Sequence, residues 1–272
     1  MSRDEGRLYP ALLRHFRQRR GLSQLDLSLA ADVSARHVSF LETGRAEPSR
    51  EMVLRLASAL DVPLRDQNQM LQAAGFTPEF AEPGIEGGLS APIESALTRM
   101  LALHEPYPMV VMNRLYDVYR TNTGAQLFFG QVIADPSAVV PPLNLFRLAF
   151  DPRLARHAIV DWERTARALL SRLHRESLAR AGDASLAALV RDLLEYPDVP
   201  EDFRQPDFSL PSDPVLGLRL RCKGVDMSFL VTVTVFSAPQ NVTLEELRIE
   251  SYFPLDDATA RACEALRSGP RN

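Results

Sequence analysis

Lysine is almost missing from this chain. Lys223 is the only one, and arginine carries the rest of the positive charge. Cysteine is nearly as scarce: Cys222 and Cys263 stand far apart, with neither metal-knuckle spacing nor the number that a disulfide framework needs. That excludes a small cross-linked secreted fold and leaves two buried, inert thiols as the expectation. No run approaches the ~20 apolar residues that cross a bilayer. The charged start, MSRDEGRLYP, lacks the apolar centre of a secretion signal. A cytoplasmic protein with no membrane partner is expected. Catalytic signatures are absent too: there is no Gly-rich phosphate loop, no G-x-S-x-G and no H-E-x-x-H. The five histidines are scattered, and His157 with Asp161 has only the i,i+4 spacing of a common helix-surface pair. No catalytic residue, metal-ligand set or cofactor motif emerges, so the chain reads as a binding protein and not an enzyme.

What is present fits two ordinary domains. The 272 residues are 46% hydrophobic and 24% charged, enough for two cores. The net charge of −4 hides an asymmetry: residues 1–50 hold nine Arg and six acidic residues, a net of +3, which leaves −7 for the remainder. A basic start on an acidic remainder suits an anionic partner at one end only. That charge is modest, so dimerisation is expected to be needed for affinity.

The stretch from Gln24 to Leu41 has the spacing of two helices joined by a tight turn. Ser28 is small where the helices must cross closely. Asp32 stands where the turn needs positive φ, which Asp tolerates better than most residues. Val38 and Leu41 lie three apart on one face and pack the second helix on the first. That leaves Ala35, Arg36, His37 and Ser39 available to a major groove. Ser23 with Asp26 forms a capping-box-like start, Ser34 caps the second helix and Gly44 ends it. Helices are predicted before it over Ala11–Arg20 and after it from Ser49 to Leu60 and from Leu64 to Ala74. Five short helices make an all-α domain.

This region resembles the XRE type of helix-turn-helix, the lambda-repressor and Cro-like domain. The resemblance rests on Leu13, Arg17, Gly21-Leu22-Ser23-Gln24, Leu27, Ala30, Val33-Ser34, Val38-Ser39, Glu42, Gly44, Pro48-Ser49, Leu56-Ala57 and Leu60. It implies that Gln24 contacts the phosphate backbone and braces the recognition helix, that Ala35, Arg36, His37 and Ser39 face base edges, and that Thr43 and Arg45 meet the backbone. The partner implied is a double-stranded DNA operator, palindromic if the protein is a homodimer. Three features depart from the pattern: Asp32 replaces the usual turn glycine, Ser28 the usual Ala, and Leu25 and Leu29 are apolar where polar residues are common. Exposed leucines four apart suggest a contact surface.

The predicted domain organisation is 1–76 for the helix-turn-helix domain, 77–92 for an extended, mobile linker rich in Pro, Gly and Glu, and 93–268 for a second domain. The second domain opens with a helix over Ile93–Leu103. Two strand-like runs follow, Met109–Met112 and Leu115–Thr121, joined by a tight hairpin at Asn113-Arg114. A helical block occupies 124–195, and Pro197, Pro200, Pro206, Pro211 and Pro214 mark an irregular passage. Three alternating strands come next: Gly217–Lys223, Met227–Phe236 and Leu247–Phe253, the last with Leu247, Ile249 and Phe253 on one face; strict alternation predicts a sheet with one buried and one more polar face. A helix over Asp256–Arg267 closes the chain. The fold class is therefore α+β, PAS-like, with a five-stranded antiparallel sheet and a helical insertion.

Residues 93–268 further resemble the MmyB-like ligand-binding domain found behind XRE helix-turn-helix domains. The carriers are Arg114–Val118 with Asn122, Asn144–Arg147 with Phe150-Asp151-Pro152, Asp161-Trp162-Glu163, Leu186–Leu194 with Phe203, and Leu230–Phe236 with Leu244 and Leu247. Thr121 replaces the family's aromatic before Asn122, and the family's Trp ahead of the second sheet half is absent. The resemblance implies a one-component regulator whose second domain holds a small apolar ligand such as a fatty acid. Ligand-binding candidates are Phe128, Phe129, Phe146, Phe150 and Trp162 on the covering helices, with Phe229, Val231 and Val233 on the sheet below. Each is equally readable as plain core. Arg147, inside an aromatic run, pairs either with a ligand carboxylate or with a surface acid. Two alternatives stay open: a DNA-binding protein whose second domain is a dimerisation or interaction module without ligand, and a repressor controlled by a protein partner.

Overall fold

The computed structural model describes residues 8–85, 89–179, 184–205, 216–222 and 224–268. The passage read around Pro206, Pro211 and Pro214, and the strand end at Lys223, lie outside the described residues. The chain divides into two compact units.

Residues 8–73 of the N-terminal unit form α1 (Leu8–Arg19), α2 (Gln24–Ala30), α3 (Ala35–Glu42), α4 (Arg50–Ala59) and α5 (Leu64–Ala73). Each presents an apolar stripe, such as Tyr9, Leu13 and Phe16 on α1, and these stripes close one core with Leu27, Val38, Leu41, Leu56 and Met70. Local chemistry fixes the boundaries. The Ser23 hydroxyl accepts the Asp26 N–H at 3.1 Å while the Asp26 carboxylate accepts the Ser23 N–H at 2.8 Å, a reciprocal capping box. Ser34 and Ser49 cap α3 and α4 with their hydroxyls alone, which accept the His37 and Met52 N–H groups at 3.1 and 3.2 Å. Asp32 has φ +52°, the left-handed conformation that the α2–α3 turn demands.

Residues Thr77 to Phe80, after α5, are hydrogen-bonded back to α4 and α5. The Asn68 side chain accepts the Glu79 and Phe80 N–H groups at 3.0 Å and donates to the Phe80 carbonyl at 2.7 Å, and Arg50 donates to the Thr77 carbonyl. An amide with donors and acceptors at once replaces the pairing that a Pro- and Gly-rich stretch lacks. Residues Phe236–Glu245, expected in the second domain, group with this unit as well. Val242 N–H bonds the Ala81 carbonyl, Thr243 Oγ1 donates to the Pro83 carbonyl, and the Glu245 carboxylate accepts the Leu64 N–H at 2.9 Å. The last contact caps α5, whose N-cap is Pro63 and brings no side-chain hydrogen bond.

The C-terminal unit is built on β1 (Met109–Met112), β2 (Val118–Thr121), β3 (Leu216–Cys222), β4 (Val225–Thr234) and β5 (Arg248–Pro254). They form an antiparallel sheet in the order β2-β1-β5-β4-β3. Its helices are α6 (Ala91–Leu103), α7 (Thr123–Val132), α8 (Leu145–Phe150), α9 (Trp162–Ala179), α10 (Ala184–Leu194) and α12 (Asp257–Ser268); α11 (Val242–Glu246) lies in the segment before β5. Gly124 opens α7 without a Cβ because any Cβ there would collide with the Pro106 carbonyl. Asn122 locks that corner: its Oδ1 accepts the Met109 and Ala125 N–H groups at 2.9 Å and its Nδ2 donates to the Tyr107 carbonyl at 2.7 Å.

Two expectations need correcting. The first hairpin does not turn at Asn113-Arg114, because β2 begins only at Val118 and 113–117 form a wider turn. The Asn113 carboxamide oxygen accepts the N–H groups of Leu115 and Asp117, and Tyr116 takes φ +67° and swings into the core. On β5, Ile249 is buried as the alternation predicts, but the opposite face is buried too and Phe253 is not. This strand is central and covered on both faces, so Ile249 is buried on one face while Glu250 and Tyr252 turn inward on the other, and Phe253 is 42% exposed.

Candidate DNA-reading face and ligand cavity

Glu42, at the end of α3, is buried and organises the helix-turn-helix from within. Its carboxylate takes both Arg17 Nε at 2.6 Å and Arg17 Nη2 at 2.9 Å from α1, and Gln24 Nε2 at 2.8 Å from α2. Burial opposes its ionisation, but the Arg17 and Gln24 hydrogen bonds and the charges of Arg17 and Arg14 hold its pKa below the usual carboxylate range. Three helices are thereby tied at one charged node. Gln24 ties α2 to the end of α3 through this bond, which uses one of its two Nε2 hydrogens.

On α3 itself, Arg36 is exposed and stacks over Phe40 one turn on, its guanidinium carbon 5.1 Å from the ring centroid. Ala35, His37 and Ser39 are half-buried, and Thr43 and Arg45 are exposed. The Thr43 hydroxyl donates to the Ser39 carbonyl at 2.7 Å, finishing the helix. Leu25 and Leu29 are 59% and 73% exposed on α2.

The C-terminal unit contains an apolar cavity of about 70 Å³ between sheet and helices. Of the residues singled out from sequence, Phe128, Phe129, Phe146 and Val231 line it. The others stand elsewhere. Phe229 lies beneath, fully buried, 5.4 Å ring to ring from Phe128 and 5.9 Å from Tyr252. Phe150 belongs to a neighbouring core cluster with Leu170 and Leu186. Trp162 donates Nε1–H to the Ala149 carbonyl at 2.9 Å and is covered by Arg156 at 3.6 Å. Val233, near the end of β4, is exposed. Arg147 faces outward and pairs with Asp192 at 2.6 Å, because short α8 turns its aromatic residues to the core and this position away from it.

The cavity's polar end comes from residues the sequence reading passed over: Tyr116, Thr165, Arg172, Glu250 and Tyr252. The Tyr116 hydroxyl donates to Glu176 Oε1 at 2.7 Å and accepts Arg248 Nη1 at 2.6 Å, and Arg248 also bonds Glu176 at 3.0 Å. Arg172 Nε donates to Glu176 Oε1 at 3.2 Å. Among the described residues its two terminal nitrogens have no hydrogen-bond partner. Glu250 accepts the Tyr252 hydroxyl at 3.2 Å. Burial pushes the pKa of Glu250 up, against the opposing charges of Arg172 and Arg248, and burial likewise raises that of Tyr252. Both cysteines are buried thiols, and burial pushes the Cys263 thiol up to about 11.

A family model described as helix-turn-helix matches residues 13–67. A second, described as the MmyB-like transcription regulator ligand binding domain, matches residues 93–266, more than half of the chain. Among solved structures, "Structure of an RNA-binding Light-Oxygen-Voltage Receptor" is similar at 12% identity with a TM-score of 0.27, over 94% of this chain and 64% of that one. The chain therefore spans less than two thirds of that protein's length. No curated protein matches.

Proposed function

Because the chain belongs to the MmyB-like transcription regulators and carries their helix-turn-helix, we propose that its affinity for a DNA operator is set by a small apolar ligand held in the C-terminal unit. The protein acts as a homodimer on a palindromic operator, with α3 in the major groove. Arg36 and His37 read base edges; Thr43 and Arg45 meet phosphates. The observation that carries the ligand reading is the cavity: an aromatic, aliphatic enclosure with a few convergent polar groups at one end, the composition of a small-molecule site. Its size bears on mechanism. At about 70 Å³ it is smaller than a cavity of roughly 150 Å³ that admits benzene. A long acyl chain therefore enters only if rings such as Phe129 and Phe146 change rotamer. Such a displacement is a way for a ligand to favour one state of the protein over another. Strand β4 provides Val231 to the cavity and runs directly into Phe236–Glu245, which is folded into the N-terminal unit.

The reading is tested by native mass spectrometry of the purified protein, with solvent extraction and identification of what is released. A bound lipid-like mass supports it. An empty protein that also gives no thermal shift across a fatty-acid panel turns the choice to an interaction module without ligand.

A further inference from the structure

Helix α3 carries an aromatic residue that the core of its unit does not use. Val38 and Leu41 are buried in that core, but Phe40 belongs neither to it nor to the partly buried side chains packed on it. Phe40 is half-buried, and what it meets is Arg36, one turn earlier, whose guanidinium carbon stands 5.1 Å from the ring centroid. Arg19 covers a ring in the same way, but that ring is Phe16, a core residue. Arg17, Arg20, Arg50 and Arg55 each pair with an acid. The Arg36 guanidinium has no acid and no hydrogen-bond partner among the described residues, only the ring. Nor does its position favour the helix: Arg36 is the second residue of α3, at the positive end of the helix dipole, where a cation is disfavoured. A ring beside a guanidinium restricts its rotamers without taking up any of its N–H donors, so the fork stays available for an outside partner.

We infer that Arg36 and Phe40 read DNA as one unit: Arg36 takes a guanine through its O6 and N7, and Phe40 takes the 5-methyl group of a neighbouring thymine while holding Arg36 in place. This rests on the reading of α3 as the operator-binding helix and adds to it a residue for a second base. The chemistry selects the partner. A phenyl ring offers a base edge no donor and no acceptor, and the apolar group that the major groove displays is the thymine methyl. The spacing selects the position. Residues four apart on a helix are separated by about 6 Å along its axis, less than two base-pair steps of about 3.4 Å each. The thymine therefore falls within two base pairs of the guanine. Removing the ring has two consequences at once: the methyl loses its contact, and the guanidinium, no longer held, discriminates its guanine less well.

The experiment uses the full chain and a duplex selected with it from unmethylated random DNA, with Kd read by fluorescence anisotropy at fixed salt. In one half-site of the selected sequence, 7-deazaguanine replaces each guanine in turn, which removes N7, and deoxyuridine replaces each thymine, which removes only the methyl. The guanine read by Arg36 is the one whose replacement weakens the parent but not Arg36→Ala. A thymine within two base pairs of it is expected to lose about fourfold as deoxyuridine, the worth of one buried methyl. That loss is expected to vanish in Phe40→Ala and to survive in part in Phe40→Leu, which keeps an apolar side chain without the ring. Phe40→Ala is also expected to lower the preference for that guanine by about threefold, the worth of an exposed cation–π contact. Each comparison is a ratio between two DNAs on one protein, so partial unfolding of a variant cancels. Absence of a guanine that answers to Arg36, absence of a responding thymine within two base pairs, a deoxyuridine penalty that persists in Phe40→Ala, or a guanine preference unchanged in Phe40→Ala each overturns the paired reading while leaving an operator-binding protein standing. Failure of the folded protein to enrich any sequence from random DNA overturns the operator reading itself, and the pair with it.

Discussion

At the residue scale, what a side chain does here depends on the face it is given more than on its type. Arg147 and Arg172 both lie on helices next to aromatic residues; one meets Asp192 at the surface and the other lines a cavity. Composition cannot separate them, because short α8 shows less than two turns of periodicity. Phe128, Phe129, Phe146 and Val231 were legible because apolar residues in amphipathic patterns face a core. Glu250 and Tyr252 were not, because alternation assigns polar positions of a strand to solvent and β5 has no solvent face at its centre. Two predictions belong here. Glu250 has a raised folded pKa, so between the ordinary glutamate range and that value the unfolded chain releases a proton that the folded chain keeps. Its contribution to stability is full at low pH and is lost as pH rises through the folded pKa. Glu250→Gln is expected to flatten that decline and raise the melting temperature at pH 8; a melting profile still parallel to the parent's across pH 5–8 would count against it. Arg36→Ala is expected to cost about 1–3 kcal/mol on a selected operator and less on random DNA, read by fluorescence anisotropy. Equal losses on both make Arg36 a phosphate contact.

At the scale of elements, the helix-turn-helix was readable in detail because its signals are local: Ser23 with Asp26, Ser34, Ser49 and the φ +52° of Asp32 each act within a few residues. What sequence did not reveal is the node that joins the elements, since Arg17, Gln24 and Glu42 meet only after folding. Removing Arg17 leaves Glu42 buried with part of its charge uncompensated. Arg17→Ala is expected to destabilise the protein by about 3 kcal/mol in urea unfolding, in the range for breaking a buried pair. A loss under 1 kcal/mol would show the node to be hydrated and weak. The turn at Asn113–Asp117 also escaped prediction. Tyr116 reads as a strand residue, and the turn that points it inward is held by the Asn113 side chain, which takes two backbone N–H groups, together with backbone bonds from Tyr116 to Asn113 and from Leu145 to Tyr116. On α2, Leu25 and Leu29 present an apolar surface that the N-terminal core does not use. The double change Leu25→Glu, Leu29→Glu is expected to shift the sedimentation-equilibrium mass toward monomer or to alter DNA affinity; neither changing would remove the contact-surface role.

At the scale of the molecule, charge and connection were partly visible from the start. The basic N-terminal fifty residues and acidic remainder assign the nucleic-acid partner to one end. The order of two strands, helices and three strands predicted the sheet that is observed. The return of Phe236–Glu245 to the N-terminal unit was not predictable, because it depends on the Leu64 N–H donating to Glu245, 181 residues away, and on the Ala81 carbonyl accepting the Val242 N–H. A ligand can change DNA binding only through unequal affinity for two states of this chain, and such couplings amount to about 1–3 kcal/mol, or 5–150-fold. The measurement that tests the account most directly is the Kd for an operator selected from random DNA, with and without saturating dodecanoic acid at fixed salt and pH. The account predicts a shift of at least about fivefold, reciprocated in the acid's own affinity when operator is present. An unchanged Kd with the acid verified as bound in the same sample would contradict it.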